Sequence, residues 1–134
     1  NSPWNIYDIL EDFMDIQEIP KGPLMLRDYG FSVPGQHKSL AGSKVDRISH
    51  IMETFPNLPF LMLGDTASKD ADDYIELAHK FPGRIKTIYI RYTRNTKNAN
   101  RVAKLIEDTT HVNAVVIKKS AEIVAHARKV GYIS

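Results

Sequence analysis

Hydrophobic and polar residues alternate along this chain with two periods, and the switches between them mark its elements. Trp4, Ile6, Tyr7, Ile9, Leu10, Phe13, Met14 and Ile16 fall at helical spacing, with Asp8, Glu11, Asp12 and Asp15 on the other face. Pro20-Lys21-Gly22-Pro23 breaks that helix. Leu24-Met25-Leu26 then reads as a short buried strand, followed by Arg27-Asp28 and an irregular, glycine-rich stretch from Tyr29 to Ser43. Ser43 is placed as an N-cap for a helix carrying Val45, Ile48, Ile51, Met52 and Phe55. Phe60-Leu61-Met62-Leu63 is an unbroken apolar run and predicts a strand buried on both faces.

The same alternation continues to the end. A helix from Asp70 carries Tyr74, Ile75, Leu77, Ala78 and Phe81 and stops at Pro82-Gly83. Ile85 to Ile90 is a strand, Thr96 to Asp108 a helix, and Val112 to Ile117 a further strand. Ser120 is placed as the cap of a last helix, Ala121 to Val130, ended by Gly131. Doubly buried strands joined by helical crossovers predict an α/β fold, a parallel sheet covered on both faces in a three-layer sandwich. No repeat or internal linker divides residues 1–134, so one α/β domain is expected. The chain opens on a helix with no strand to feed it and no initiator methionine. It therefore reads as the later part of such a domain, with at least one strand on its amino-terminal side.

Composition narrows the partners. With 134 residues, 43% hydrophobic and 25% charged, the chain can build a real core. A net charge of +2 gives no case for nucleic acid. The chain has no cysteine, which excludes disulfides and thiolate zinc sites and accords with a cytoplasmic location. No apolar run approaches the roughly 20 residues needed to span a bilayer.

The candidate chemistry gathers on the stretch after the apolar run. Asp65 directly follows Phe60-Leu61-Met62-Leu63-Gly64, and Asp70 comes five residues later at a helix start. A carboxylate at the carboxyl edge of a sheet lies where ligands bind in open α/β folds. Two such carboxylates on one short loop make half of a hard-cation site, since Mg²⁺ takes one or two carboxylates plus water and substrate oxygens. Ser2 stands at a helix start, where backbone amides attract anions. Lys44 stands at another, where the helix dipole disfavours a cation unless it faces an anion. A hydroxyl donor, a cation and a metal site are what phosphoryl transfer needs besides its acceptor.

Several stretches together resemble the haloacid-dehalogenase-like phosphatases and, within them, the phosphatidate phosphatase catalytic domains. They are Ser2-Pro3-Trp4-Asn5-Ile6-Tyr7, Gly22-Pro23-Leu24-Met25-Leu26-Arg27-Asp28, Lys44-Val45-Asp46-Arg47-Ile48, Phe55 to Asp65, Phe81 to Ile85 and Ile88-Tyr89-Ile90-Arg91. The likeness covers most of residues 1–92. It implies a Rossmann-like sheet and a Mg²⁺-dependent phosphatase that works through an aspartyl-phosphate. Its substrate would be phosphatidate, cleaved to diacylglycerol and phosphate, with peripheral membrane contact. Ser2 would hydrogen-bond the phosphoryl group, Lys44 would neutralise charge on it, and Asp65 and Asp70 would bind Mg²⁺. The family's Asp-x-Asp motif, which carries the nucleophile, is absent from residues 1–134 and would lie upstream. Thr66-Ala67-Ser68 departs from the family's Ser-Gly-Gln, and Ser43 stands where histidine usually precedes the lysine. His37-Lys38 offers a rival alignment, which makes His37 a candidate for substrate contact.

Each residue also has a structural reading. Ser2 and Asp70 can serve as N-caps. Lys44 can be a solvated side chain. Arg27 can pair with Asp28 or face the substrate. A phosphate- or lipid-headgroup-binding module that lacks the nucleophile is therefore the competing function. A nucleotide-binding domain is weaker, because neither Gly-x-Gly-x-x-Gly nor Gly-x-x-x-x-Gly-Lys occurs.

Overall fold

The structure is a computed structural model that describes residues 7–22, 24–25, 43–94 and 96–134. The chain forms two compact units, Asn1–Arg47 and Ile48–Ser134.

In the first unit, helix α1 spans Tyr7–Ile16. It ends because Glu18 turns into the left-handed region at φ 53°. There the Ile19 N–H reaches the Met14 carbonyl at 2.8 Å and the Glu18 N–H reaches Asp15 at 3.2 Å, which closes a Schellman motif. None of the residues of α1 is buried, and Ile9, Phe13 and Ile16 stand exposed. The amphipathic pattern thus formed the helix without burying its apolar stripe. Leu24 and Met25 are irregular rather than a strand, and Leu26 lies outside the described residues. Among the described residues Leu24 and Met25 pair with no strand, and a strand needs a neighbour to pair with.

Helix α2, Lys44–Thr54, starts as the sequence predicts. The Ser43 hydroxyl accepts the Asp46 N–H at 3.2 Å, while the Asp46 carboxylate accepts the Ser43 N–H at 2.8 Å. This reciprocal cap satisfies two amide donors of the first turn.

The second unit is built on a parallel sheet of three strands in the order β1-β2-β3: Phe60–Asp65, Ile85–Arg91 and Ala114–Ile117. Helices α3 (Asp70–Lys80), α4 (Thr96–Glu107) and α5 (Ser120–Lys129) alternate with them. Register sets the rows: Leu63, Tyr89 and Val115 lie side by side, and Asp65, Arg91 and Ile117 form the last row at the carboxyl edge. Helix α3 packs on β1 and β2 and touches α4, which packs on β3. Ala71, Leu77, Ile88, Ile90, Ala99 and Val102 are sealed from solvent in this core. Fully burying a side chain such as Leu77 or Ile88 contributes about 1.5–3 kcal/mol. On the other face the Tyr89 hydroxyl meets His126 Nδ1 of α5 at 2.8 Å, and Thr87 meets the Tyr132 hydroxyl at 3.0 Å.

Strand β1 departs from the expected double burial. Met62 is buried, whereas Leu61 and Leu63 are 44% and 59% exposed. Side chains alternate across a strand. Met62 therefore points with Ile88 to the α3 side, and Leu61 and Leu63 point with Thr87 and Tyr89 to the α5 side. Helix α5 packs on β3, the edge strand opposite β1. Its amino end also differs: Lys119 is the N-cap, and Ser120 is the first helical residue. Glu122 supplies the cap by accepting the Lys118 and Lys119 N–H groups at 3.3 and 3.1 Å. The other end closes as Gly131 predicts, with φ 76° and Tyr132 N–H on the Ala127 carbonyl at 2.8 Å. Among the described residues no helix is long and apolar enough to cross a membrane.

One side chain holds the approach to β1. The Arg84 guanidinium donates to the carbonyls of Met52, Phe55 and Leu58 at 3.2, 2.6 and 2.9 Å, which satisfies the free carbonyl end of α2. Arg84→Ala is expected to lower unfolding stability by about 1–3 kcal/mol through those orphaned carbonyls. A shift in the urea midpoint at unchanged slope checks it.

Candidate functional site

The β1–α3 loop is organised by its own two carboxylates. Asp65 Oδ1 accepts the Ala67 N–H at 2.8 Å and the Ser68 N–H at 3.0 Å, which folds the chain back directly after β1. Asp70 is the first residue of α3 and not its cap, a place taken by Lys69. Its side chain is buried, and Oδ2 accepts the Asp65 N–H at 3.1 Å. A buried carboxylate is costly unless bonded. That amide bond and the amino-terminal dipole of α3 both offset the cost here.

Gly64 makes this fold-back possible. A Cβ at Gly64 would lie 2.5 Å from Asp70 Cβ and 2.6 Å from its Oδ2. Only glycine lets the two acids share so short a loop.

Thr66 and Tyr74 fix the loop to its surroundings. Thr66 is fully buried, its N–H reaches the Arg91 carbonyl at 3.0 Å, and its hydroxyl accepts the Thr93 N–H at 2.9 Å. Asn98 of α4 donates to the Thr66 carbonyl. The Tyr74 hydroxyl donates to the Leu63 carbonyl at 2.9 Å. Burial, and then the charges of Asp70, Asp73 and Asp65, raise the Tyr74 phenol far above its ordinary range, so it stays a neutral donor. Thr66 carried only a mismatch signal in the sequence, and nothing there marked Asn98 or Tyr74.

Beyond the loop, Arg101 of α4 grips Asp72 of α3 with two parallel bonds of 2.9 and 2.8 Å. This pair lines a cavity of about 700 Å³ that includes Ser68, Lys69 and Asn98. The hydrogen bond from Arg101 holds the Asp72 carboxyl below its ordinary value of 3.8.

The structure therefore brings together Asp65 and Asp70. Lys44 is the half-buried first residue of α2, and it belongs to the other compact unit. Ser2, Arg27 and His37 lie outside the described residues. Among the described residues, no cluster of three or more His, Cys, Asp or Glu side chains could hold a metal. Two carboxylates on one loop fit the protein's share of a Mg²⁺ site, whose other ligands are water and phosphate oxygens.

Two outcomes follow from this geometry. Gly64→Ala should lower stability by about 1–3 kcal/mol and loosen Asp70, because the clash is with a Cβ and not with a flexible chain end. Chemical denaturation of the variant reads the loss. Asp72→Asn should cost about 0.2–1 kcal/mol at neutral pH and low salt, since both partners of the pair are largely exposed. The Asp72 pKa is depressed in the fold. Its contribution is thus complete above 3.8, the unfolded value, and is lost as pH falls through the lower folded one. Stability curves of the two proteins should converge in acid.

Comparison with known proteins assigns the chain to a family. The model of the family described as "Phosphatidate phosphatase APP1, catalytic domain" matches residues 1–92. Phosphatidate phosphatase APP1 of Saccharomyces cerevisiae is 32% identical over 97 residues, which cover 72% of this chain and 16% of the yeast protein. No solved structure matches. The family match spans β1, the Asp65–Asp70 loop, α3 and β2, and the chain belongs to the family of the phosphatidate phosphatase APP1 catalytic domain.

Proposed function

We propose that this chain is part of a Mg²⁺-dependent phosphatase that hydrolyses phosphatidate to diacylglycerol and phosphate through an aspartyl-phosphate. The observation that carries this reading is the Asp65–Asp70 loop, two carboxylates held at the carboxyl edge of a parallel sheet within the segment the family matches. Asp65 and Asp70 would hold the cation, which supplies charge neutralisation to phosphate oxygens when bound. The loop's internal bonds keep both acids in place before any ligand arrives, which limits the reorganisation that binding requires.

In this reading Lys44 neutralises the phosphoryl group and Ser2 donates a hydrogen bond to it. Arg27 and His37 serve the substrate. The nucleophilic aspartate belongs to a segment outside these 134 residues, in keeping with a chain that spans 16% of the yeast relative. The setting is cytoplasmic, with the protein meeting its lipid at a membrane surface.

The deciding experiment measures Mg²⁺-dependent phosphate release from phosphatidate and from 4-nitrophenyl phosphate by the full-length protein. Asp65→Asn is the informative variant. Asparagine keeps an Oδ1 acceptor for the Ala67 and Ser68 amides, so the loop persists while the charge is lost. Mg²⁺ affinity should fall by at least about tenfold, and phosphate release with it. Unchanged affinity would overturn the metal assignment. Release from neither compound, with Mg²⁺ still bound, would favour a headgroup-binding module.

A further inference from the structure

The last row of the sheet places Asp65 next to Arg91, with Ile117 beyond it. Alternation puts these three side chains on the α5 face, together with Leu63 and Tyr89 one step back. A cavity of about 280 Å³ opens there. Leu63, Tyr89, Ile117 and Ile123 make its apolar floor, and Asp65, Arg91 and Ser120 its polar side. It lies on the opposite side of the Asp65–Asp70 loop from the Asp72–Arg101 pair.

Two of its polar groups are not used by the fold. Arg91 is exposed, and among the described residues its guanidinium has no hydrogen-bond or ion-pair partner. Asp65, its neighbour in register, turns its Oδ1 to the Ala67 and Ser68 amides instead. Ser120 is released from capping because Glu122 and Lys119 form the start of α5, so its hydroxyl is available at the rim. Tyr89, in contrast, spends its hydroxyl on His126, which leaves its ring as floor.

We propose that this cavity takes the leaving-group half of the substrate, the ester-bearing glycerol segment of a phospholipid monoester. Arg91 and Ser120 donate to the ester oxygens, and the apolar floor covers the hydrocarbon next to them. The assignment rests on the phosphatase reading above. Chemistry favours this occupant over a second phosphate. The cavity offers one arginine against a carboxylate wall and an apolar floor, whereas a phosphate site would gather several donors. Its volume lies just below the roughly 300–1,000 Å³ of pockets that enclose a whole ligand, so it suits a segment whose acyl chains continue outside.

The test compares kcat/KM for phosphatidate in detergent micelles with kcat/KM for 4-nitrophenyl phosphate, whose leaving group has no ester, in the full-length protein. Two variants act on different parts of the cavity: Arg91→Gln removes the guanidinium, and Ile123→Trp fills the space. The ratio of the two specificity constants should fall at least tenfold in each, carried by KM for phosphatidate more than by kcat. A ratio within twofold of the unsubstituted protein in either variant overturns the assignment. If the unsubstituted protein releases phosphate from neither compound, the phosphatase reading itself fails and the pocket assignment falls with it.

Discussion

The close approach of Gly64 to Asp70 is the constraint on which the site depends. Because no side chain stands at position 64, the first residue of α3 can lay its carboxylate against the end of β1 and take the Asp65 amide. The chain therefore leaves the sheet and enters the helix within a few residues, and both acids stay at the carboxyl edge. A wider loop would carry the same acids with no fixed distance between them. The energetic logic is local. Asp70 is buried, and its carboxylate is bonded there by the Asp65 amide at the amino terminus of α3.

Around this loop polar bonds tie the neighbouring elements together. Thr66 binds the loop to the segment after β2, Asn98 to α4, and Tyr74 to the β1 backbone. The Asp72–Arg101 pair joins α3 to α4 on the outer surface, where solvent weakens it. Hydrogen bonds to a buried threonine hydroxyl and to main-chain carbonyls are directional, so they hold a loop in one geometry where apolar contacts would let it slide. The apolar core lies further down, under β2, and provides the stability against which this geometry is held.

The two faces of the sheet divide the work. On the α3 side β1 is packed through Met62. On the α5 side Leu63 remains accessible, and it borders the cavity that ends at Asp65 and Arg91. The two carboxylates of the β1–α3 loop thus stand beside an apolar hollow, so charge and hydrocarbon surface meet at one end of the sheet.

Local signals in the sequence were sufficient wherever the physics is local. The Ser43 cap, the Gly131 stop, the helix from Asp70 and the strands at Phe60 and Ile85 all follow from side chains acting on their own backbone or from simple periodicity. The pair Asp65 and Asp70 was legible too, because a strand end followed by acids at short spacing is written in the chain. Tertiary structure alone decided the rest. The apolar run Leu61–Leu63 promised burial on both faces, yet α5 packs over β3 and leaves that side of β1 exposed. Ser120 looked like a cap, and Glu122 supplied one instead. Arg91 had no meaning until register set it beside Asp65, and Thr66, Tyr74 and Asn98 gained theirs only through partners 11–32 residues away. Periodicity reports which way a residue faces, but what stands opposite it is set by the packing of distant segments, which no local pattern encodes.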